Sequence, residues 1–349
     1  MKRTIIYLIT SLLLTLPSGC GKHSVPEVDQ VPGAYIFFSQ IVDTKASLVE
    51  DKAGLEFGVV GYKYDKGKTW ATAGTLTPNV FYDGNDIVPV ETVTCDAGGN
   101  GSYEPLQGWT NTKKYSFFAY YPLGNDYVTL VNTDGNAYTG GVPAIKYTMD
   151  TSSDAAFKAS MVDVMTAPCH KDLYGYSSIG SAPTSGDIRF DFSHRLSALA
   201  VNVKNSSTCG ITLNSLTLNI SGIKNDSLVI PLDGAAATSI GPTAAFSKSL
   251  GLTIASGEAS VTSTGAELSD KLLFIPQSEN ISINIVLNYT RKLAGYAEYT
   301  ESIPLDARTT ILEGKKHIVQ LNFKDSTVEV SSTATTGWTT VPPVTDTFN

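Results

Sequence analysis

Short runs of β-branched and aromatic residues, each closed by a Gly, Asn or Asp cluster, recur along almost the whole chain, with no long stretch of helical period among them. The first dense run is Ala34–Val42. Leu55–Tyr64, Val80–Tyr82, Ile87–Val93, Tyr115–Tyr121, Tyr127–Val131 and Ile145–Met149 follow. Between them stand Asp83-Gly84-Asn85, Ala97–Gly101, Gly124-Asn125-Asp126 and Thr133–Asn136, residues that accept the backbone angles of tight turns. The pattern resumes at Ile188–Phe192, Leu199–Lys204, Leu213–Ile220, Leu228–Leu232, Leu272–Pro276, Ile281–Tyr289 and Ile318–Phe323. Side chains alternate across a strand, so Ile283, Ile285, Leu287 and Tyr289 are expected to share one buried face. Only Ser153–Ser160, opened by Ser153 and Asp154, suggests a helix. Short strands at this spacing argue for an all-β fold, a sandwich or a barrel, with a minor helix.

A chain of 349 residues exceeds what one core usually serves, so two units are expected. Tyr174–Gly186 (YGYSSIGSAPTSG) is rich in Ser, Gly and Pro and carries no apolar periodicity, which makes it the expected boundary. It separates an N-terminal β unit over 34–175 from a C-terminal one over 187–349 that includes a terminal strand or tail.

The N-terminus carries export information. Lys2 and Arg3 precede an uncharged apolar run, Ile5–Leu16, too short to span a bilayer and suited to a signal peptide. The small pair Ser18-Gly19 then stands directly before Cys20, the arrangement of a bacterial lipobox, in which only a thiol can form the thioether to diacylglycerol. Pro17 departs from it, since the expected Leu sits one step earlier at Leu16. The alternative is plain secretion with an incidental thiol. On the lipoprotein reading residues 1–19 are signal, Cys20 is the lipidation site and 20–33 form a tether. The mature chain would then have 349 − 19 = 330 residues, held to a membrane through the lipid.

The formal net charge of −8 becomes −10 once Lys2 and Arg3 are removed, and no basic cluster exceeds a pair such as Lys113-Lys114. Phosphate contacts need clustered cations, so no nucleic-acid partner is expected. Charged residues are 17% of the chain, fewer than in average soluble domains, which suits an exported β-rich surface protein. Cys95, Cys169 and Cys209 remain after Cys20, and their spacing names no disulfide.

No motif for catalysis stands out. Cys169 and His170 are adjacent without the gap of a zinc-binding pair, and no phosphate-cradling glycine loop or G-x-S-x-G elbow occurs. Asp191, Ser193 and His194 lie too close on one strand end to converge as a triad, and are expected to be a polar strand end. Paired carboxylates across a cleft have no local signature. Trp70, Trp109 and Trp338 are candidate sugar-stacking platforms, set against the commoner use of aromatics as core. The chain is therefore expected to be no enzyme and to need no cofactor or metal.

Several segments together resemble the fimbrillin-like family of Bacteroidales type V pilus subunit lipoproteins. They are Trp109 with Tyr115–Pro122 (YSFFAYYP), Met161–Ala167 (MVDVMTA), Phe190–Leu199 (FDFSHRLSAL), Leu273–Gln277 (LFIPQ), Gly314–Leu321 (GKKHIVQL) and Trp338. The resemblance implies two β-sandwiches of transthyretin-like Greek-key topology in tandem, and export as a lipoprotein to the outer membrane and cell surface. It implies a structural or adhesive role as shaft, tip or anchor of a fimbria. The implied partners are other pilin subunits, joined by strand exchange, and host or bacterial surface ligands. In polymerising members an N-terminal segment containing the first strand is removed, and another subunit's strand fills the groove. Here the favoured bond is Lys45-Ala46, in the polar stretch after Val42, with Lys52-Ala53 second, although a lysine in such a loop also serves simply as a solvated cation. The polar stretch Ser331–Gly337 and Pro342-Pro343 make a weak donor, so Val328–Trp338 is expected to pair within its own subunit. The other function considered is a glycan-binding outer-membrane lipoprotein.

Overall fold

The structure is a computed structural model that describes residues 30–42, 54–73, 75–110, 112–173, 187–242, 244–252, 259–262, 266–268, 272–292 and 299–334. Almost every element among them is a strand, as the turn-punctuated sequence predicts; the one α-helix is Asp154–Ala159. That helix starts where the sequence placed it, with the Ser153 hydroxyl accepting from Ala156 N–H.

The largest sheet has eight strands, in the order Met165–Thr166, Asp187–His194, Phe37–Val42, Asn100–Ser102, Glu91–Cys95, Glu56–Asp65, Lys113–Tyr121 and His170–Leu173. Met165–Thr166 bonds both to Asp187–His194 and to Lys113–Tyr121, so the sheet turns back on itself around a core. Phe57, Val59, Phe117, Ala119, Phe190 and Phe192 fill that core.

Tyr115–Tyr121 shows the expected alternation, but the residues between are buried too. Phe117 and Ala119 face this first core, whereas Phe118 and Tyr120 belong to a second and larger one. Strand Glu56–Asp65 divides likewise, Phe57 and Val59 against Val60, Tyr62 and Tyr64. A strand covered on both faces reads as a continuous apolar run, as KKYSFFAYY does.

The second core lies between two further sheets. One runs Ala266–Glu267, Ser197–Asn205, Lys316–Phe323, Val328–Ala334; the other runs Phe246–Leu252, Gly210–Ile223, Gln277–Lys292, Tyr299–Ile311. Ile283, Ile285, Leu287 and Tyr289 do share one buried face, each at most 1% exposed. Edge strands Phe246–Leu252 and Tyr299–Ile311 pair through their backbones along Gly210–Ile223 and Gln277–Lys292. Their Ser- and Thr-containing sequences carry little apolar pattern, which is why the sequence does not announce them.

Three pairings cross the expected boundary at Tyr174–Gly186, that of Met165–Thr166 with Asp187–His194 among them. Strand Asp187–His194 joins the first sheet, parallel to Phe37–Val42. Strand Pro143–Thr148 pairs with Ser227–Pro231 in a four-stranded sheet that draws two strands from each side, Val128–Asn132 and Thr238–Ile240 being the outer pair. The larger core is likewise shared, since Ile145, Tyr147 and Phe157 pack in one cluster with Leu199, Leu218 and Leu273. At the N-terminal end, strand Gln30–Tyr35 pairs with Gly108–Thr110, so the last residues of the expected tether already lie in a strand. Residues 174–186 themselves lie outside the described residues. Proteolysis confined to 174–186 should therefore nick the chain without parting the halves. Gel filtration should return one species of unchanged size that resolves into two bands only on denaturing gels; separate native fragments would contradict the shared sheet.

His317 adds a pH term. It is 1% exposed on Lys316–Phe323, and its Nε2 accepts from Leu312 N–H at 3.1 Å, which only the neutral ring can do. Burial, and then the Lys315 charge, hold its pKa down at about 4. The unfolded chain thus binds this proton first. Stability attributable to the group is complete above the ordinary His range and drains as pH falls from about 6.5 toward 4. Urea titrations should show the native chain losing roughly 1–2 kcal/mol more than H317Q over that interval. Parallel pH curves for the two proteins would refute the assignment.

Candidate functional site

The N-terminal strand Phe37–Val42 is the element the resemblance singles out, and its local packing is specific. Ile36, Phe38 and Gln40 point inward at 0%, 1% and 2% exposure, while Tyr35 and Phe37 stand outward at 43% and 39%. The Phe38 ring meets Phe117 at 5.3 Å, Tyr103 at 5.4 Å, Phe190 at 5.8 Å and Phe81 at 6.2 Å between centroids. Tyr103 also donates its hydroxyl to the Ile36 carbonyl at 2.8 Å, and Ile36 N–H donates to Gln107 O.

Main-chain bonds hold the strand along both flanks. Phe37 to Val42 run parallel to Asp187 to Phe192, with Gln40 opposite Phe190. On the other side the strand is antiparallel to Asn100–Ser102, and Gln40 N–H donates to Gly99 O at 2.9 Å. That approach needs glycine. A Cβ on Gly99, whose φ is +85°, would sit 2.7 Å from the Gln40 carbonyl, and one on Gly101 would sit 2.4 Å from Val93 Cγ1. The turn signal Ala97–Gly101 thus also marks a close contact with the N-terminal strand.

The C-terminal strand Val328–Ala334 is antiparallel to Lys316–Phe323 of its own chain, with Val328 and Val330 packed on the larger core. This is the intramolecular pairing expected for the start of Val328–Trp338. Trp338, Cys20, Lys45 and Ala46 lie outside the described residues.

Asp191 and His194 do not meet: Asp191 takes Arg189 at 2.9 Å on the exposed face. His194 turns inward, its Nδ1 2.8 Å from Asp163 Oδ1, with both side chains nearly buried. Sequence reasoning passed over Asp163; the available signal was an acidic residue flanked by apolar neighbours in MVDVM, where burial demands a partner. The pair lies beside the junction of Met165–Thr166 with Asp187–His194 and pins the sheet where it turns back. Cys169 and His170 diverge, Sγ toward Asp233 O at 3.6 Å and Nε2 to Arg189 O at 2.8 Å. Among the described residues no disulfide links Cys95, Cys169 or Cys209. Trp109 is 4% exposed against Tyr115, and the half-buried Trp70 packs on Tyr62 and Phe118, so both serve the core.

A family profile described as fimbrillin-like matches residues 44–338. The chain belongs to the fimbrillin-like family. Among solved structures, a fimbrial protein from Bacteroides vulgatus is 20% identical, with 87% of this chain and 99% of that one covered at a TM-score of 0.58. At that identity the likeness speaks for the fold alone. Two proposed cell-adhesion proteins match more loosely and carry no weight here. One, from Bacteroides ovatus, is 14% identical over 88% of this chain and 99% of its own, at a TM-score of 0.49. The other, from Bacteroides uniformis, is 16% identical over 89% and 100%, at 0.44. No curated protein matches the sequence.

Proposed function

We propose that this protein is a structural or adhesive subunit of a cell-surface fimbria. On this reading it is exported as a lipoprotein on Cys20, reaches the outer membrane, and assembles with other pilin subunits by strand addition after cleavage at Lys45-Ala46. The observation that carries the reading is the seat of Phe37–Val42. It is a short strand between two partner strands, one flank only Asn100–Ser102, with Phe38 and Gln40, and Ile36 just before it, directed into a core the rest of the chain completes. Removing everything before Ala46 takes out this strand and Gln30–Tyr35. It leaves the Asp187–His194 edge unpaired beside Phe117 and Phe190, a groove that another extended chain fits by main-chain hydrogen bonds and alternate side-chain pegs. The family match begins at residue 44 and so leaves both N-terminal strands outside it, which supports a separate fate for them.

N-terminal sequencing of surface fibres from the native host tests this directly. A start at Ala46 is expected for polymerised subunits, and precursor chains should carry acyl label that disappears in Cys20→Ser. Fibre-borne chains that still begin at Cys20 would identify an uncut anchor subunit. Absence of the chain from any fibre, with no lipid on Cys20, would refute the proposal.

A further inference from the structure

The strand Phe37–Val42 does not fit its own seat equally well at each inward position. Ile36 is apolar, and Phe38 is enclosed by four aromatic rings. Gln40 is different. It is 2% exposed, and neither Oε1 nor Nε2 of its amide finds a hydrogen-bond partner among the described residues. Its backbone is satisfied, since Gln40 N–H reaches Gly99 O and the ladder to Asp187–His194 continues through Phe190 to Phe192. The mismatch is therefore confined to the side chain: a buried amide opposite Phe190 in the register of the adjoining strand. Burying an amide without a partner is costly, and replacing it by an apolar group of similar shape removes that cost without losing a bond.

From this, and resting on the strand-replacement reading above, we infer that the third inward position is a selection point. The groove accepts, in preference to the chain's own N-terminal strand, an extended segment of a second fimbrillin-like subunit with three alternating apolar pegs, the last an aliphatic residue where Gln40 now sits. Gln40 makes the resident strand a deliberately loose occupant in thermodynamic terms. It is held well enough by Phe38 to fold the subunit, and poorly enough at its C-terminal end, next to the proposed cut at Lys45, to leave. An incoming strand with Leu, Val or Ile at that register gains what Gln40 forgoes, and the same contact fixes its register, because a slip of one residue turns every peg outward.

The test uses the full chain. Gln40→Leu should raise the melting temperature and, after trypsin nicking, slow loss of the N-terminal segment roughly tenfold, the effect of about one unsatisfied buried amide. A lower melting temperature or faster loss would overturn the inference by showing that the amide is stabilised where it lies. In a second arm, nicked wild-type chain is challenged with two peptides spanning residues 34–43, one with Gln and one with Leu at position 40. Tighter capture of the Leu peptide supports the inference, and equal or weaker capture refutes it. Entry of neither peptide would instead count against strand replacement itself, so the two failures are separable.

Discussion

Replacing Phe157 by alanine should cost about 3–5 kcal/mol of unfolding free energy, the range for truncating a fully buried aromatic. Phe157 is 0% exposed on the six-residue helix Asp154–Ala159, far too short to hold together alone. Its ring is what docks the helix, packing edge-on against Phe246 at 5.9 Å and tilted on Phe274 at 6.1 Å, both from beyond residue 187. Lys248 reinforces the joint. Its ammonium sits 5.5 Å from the Phe157 ring and donates to Thr151 O at 2.8 Å. The loss should come as one cooperative transition in urea, because the larger core runs through both halves. After nicking within 174–186 the variant should also release its halves where the native chain does not. A cost below about 1 kcal/mol would mean the site collapses around the void and that the helix is peripheral.

The same joint shows what the sequence could and could not disclose. Helix and cap were legible at Ser153–Ser160, because Ser and Asp at a helix start have a local physical reason. That Phe157 packs on Phe246 and Phe274 was not, since the contact joins residues about ninety to a hundred and twenty positions apart and leaves no local pattern. Strand Asp187–His194 repeats the lesson. FDFSH alternates plainly, yet alternation names a strand and not its partner, and the partner is Phe37–Val42, before rather than after the expected boundary. Tyr299–Ile311 and Phe246–Leu252 escaped for a different reason: an edge strand is bound by main-chain groups common to all residues. At the candidate site the aromatic run AYIFFSQIV marked the right element. The anomaly of Gln40 needed burial and bonding, and Asp163 needed His194 brought beside it from 31 residues away.

These placements bear on how a chain proposed as a fimbrial subunit can keep its fold while one strand is exchanged. The core between Ser197–Asn205 and Gln277–Lys292 is completed within the chain, with Val328–Ala334 already paired to its own neighbour. The first sheet, in contrast, depends on the early strand Phe37–Val42, joined through residues that include Lys45 to Glu56–Asp65. Stability is thus concentrated away from the element proposed to be exchanged, so losing that element need not melt the remainder.

Phe38→Ala makes that division measurable. Phe38 is 1% exposed and bounded by Phe81, Tyr103, Phe117 and Phe190, so alanine should cost about 3–5 kcal/mol of the strand's attachment. Because the strand closes only the first sheet, the cost should fall on local opening before global unfolding. Hydrogen exchange at Phe37–Val42 and at the facing amides of Asp187–His194 should speed up by about two to four orders of magnitude, following that free energy. Amides of Ser197–Asn205 and Gln277–Lys292 should keep most of their protection. Trypsin should also remove the N-terminal segment faster. In the host the outcome depends on processing. If the segment is excised before assembly, fibres built from the variant should match native ones in stability, since residue 38 is no longer present in them, and only the yield of precursor should fall. If the subunit stays uncut, the weakness should persist in the finished structure. Uniform acceleration of exchange across the whole chain would show that the N-terminal strand is integral to a single cooperative fold, and would argue against its replacement by a partner.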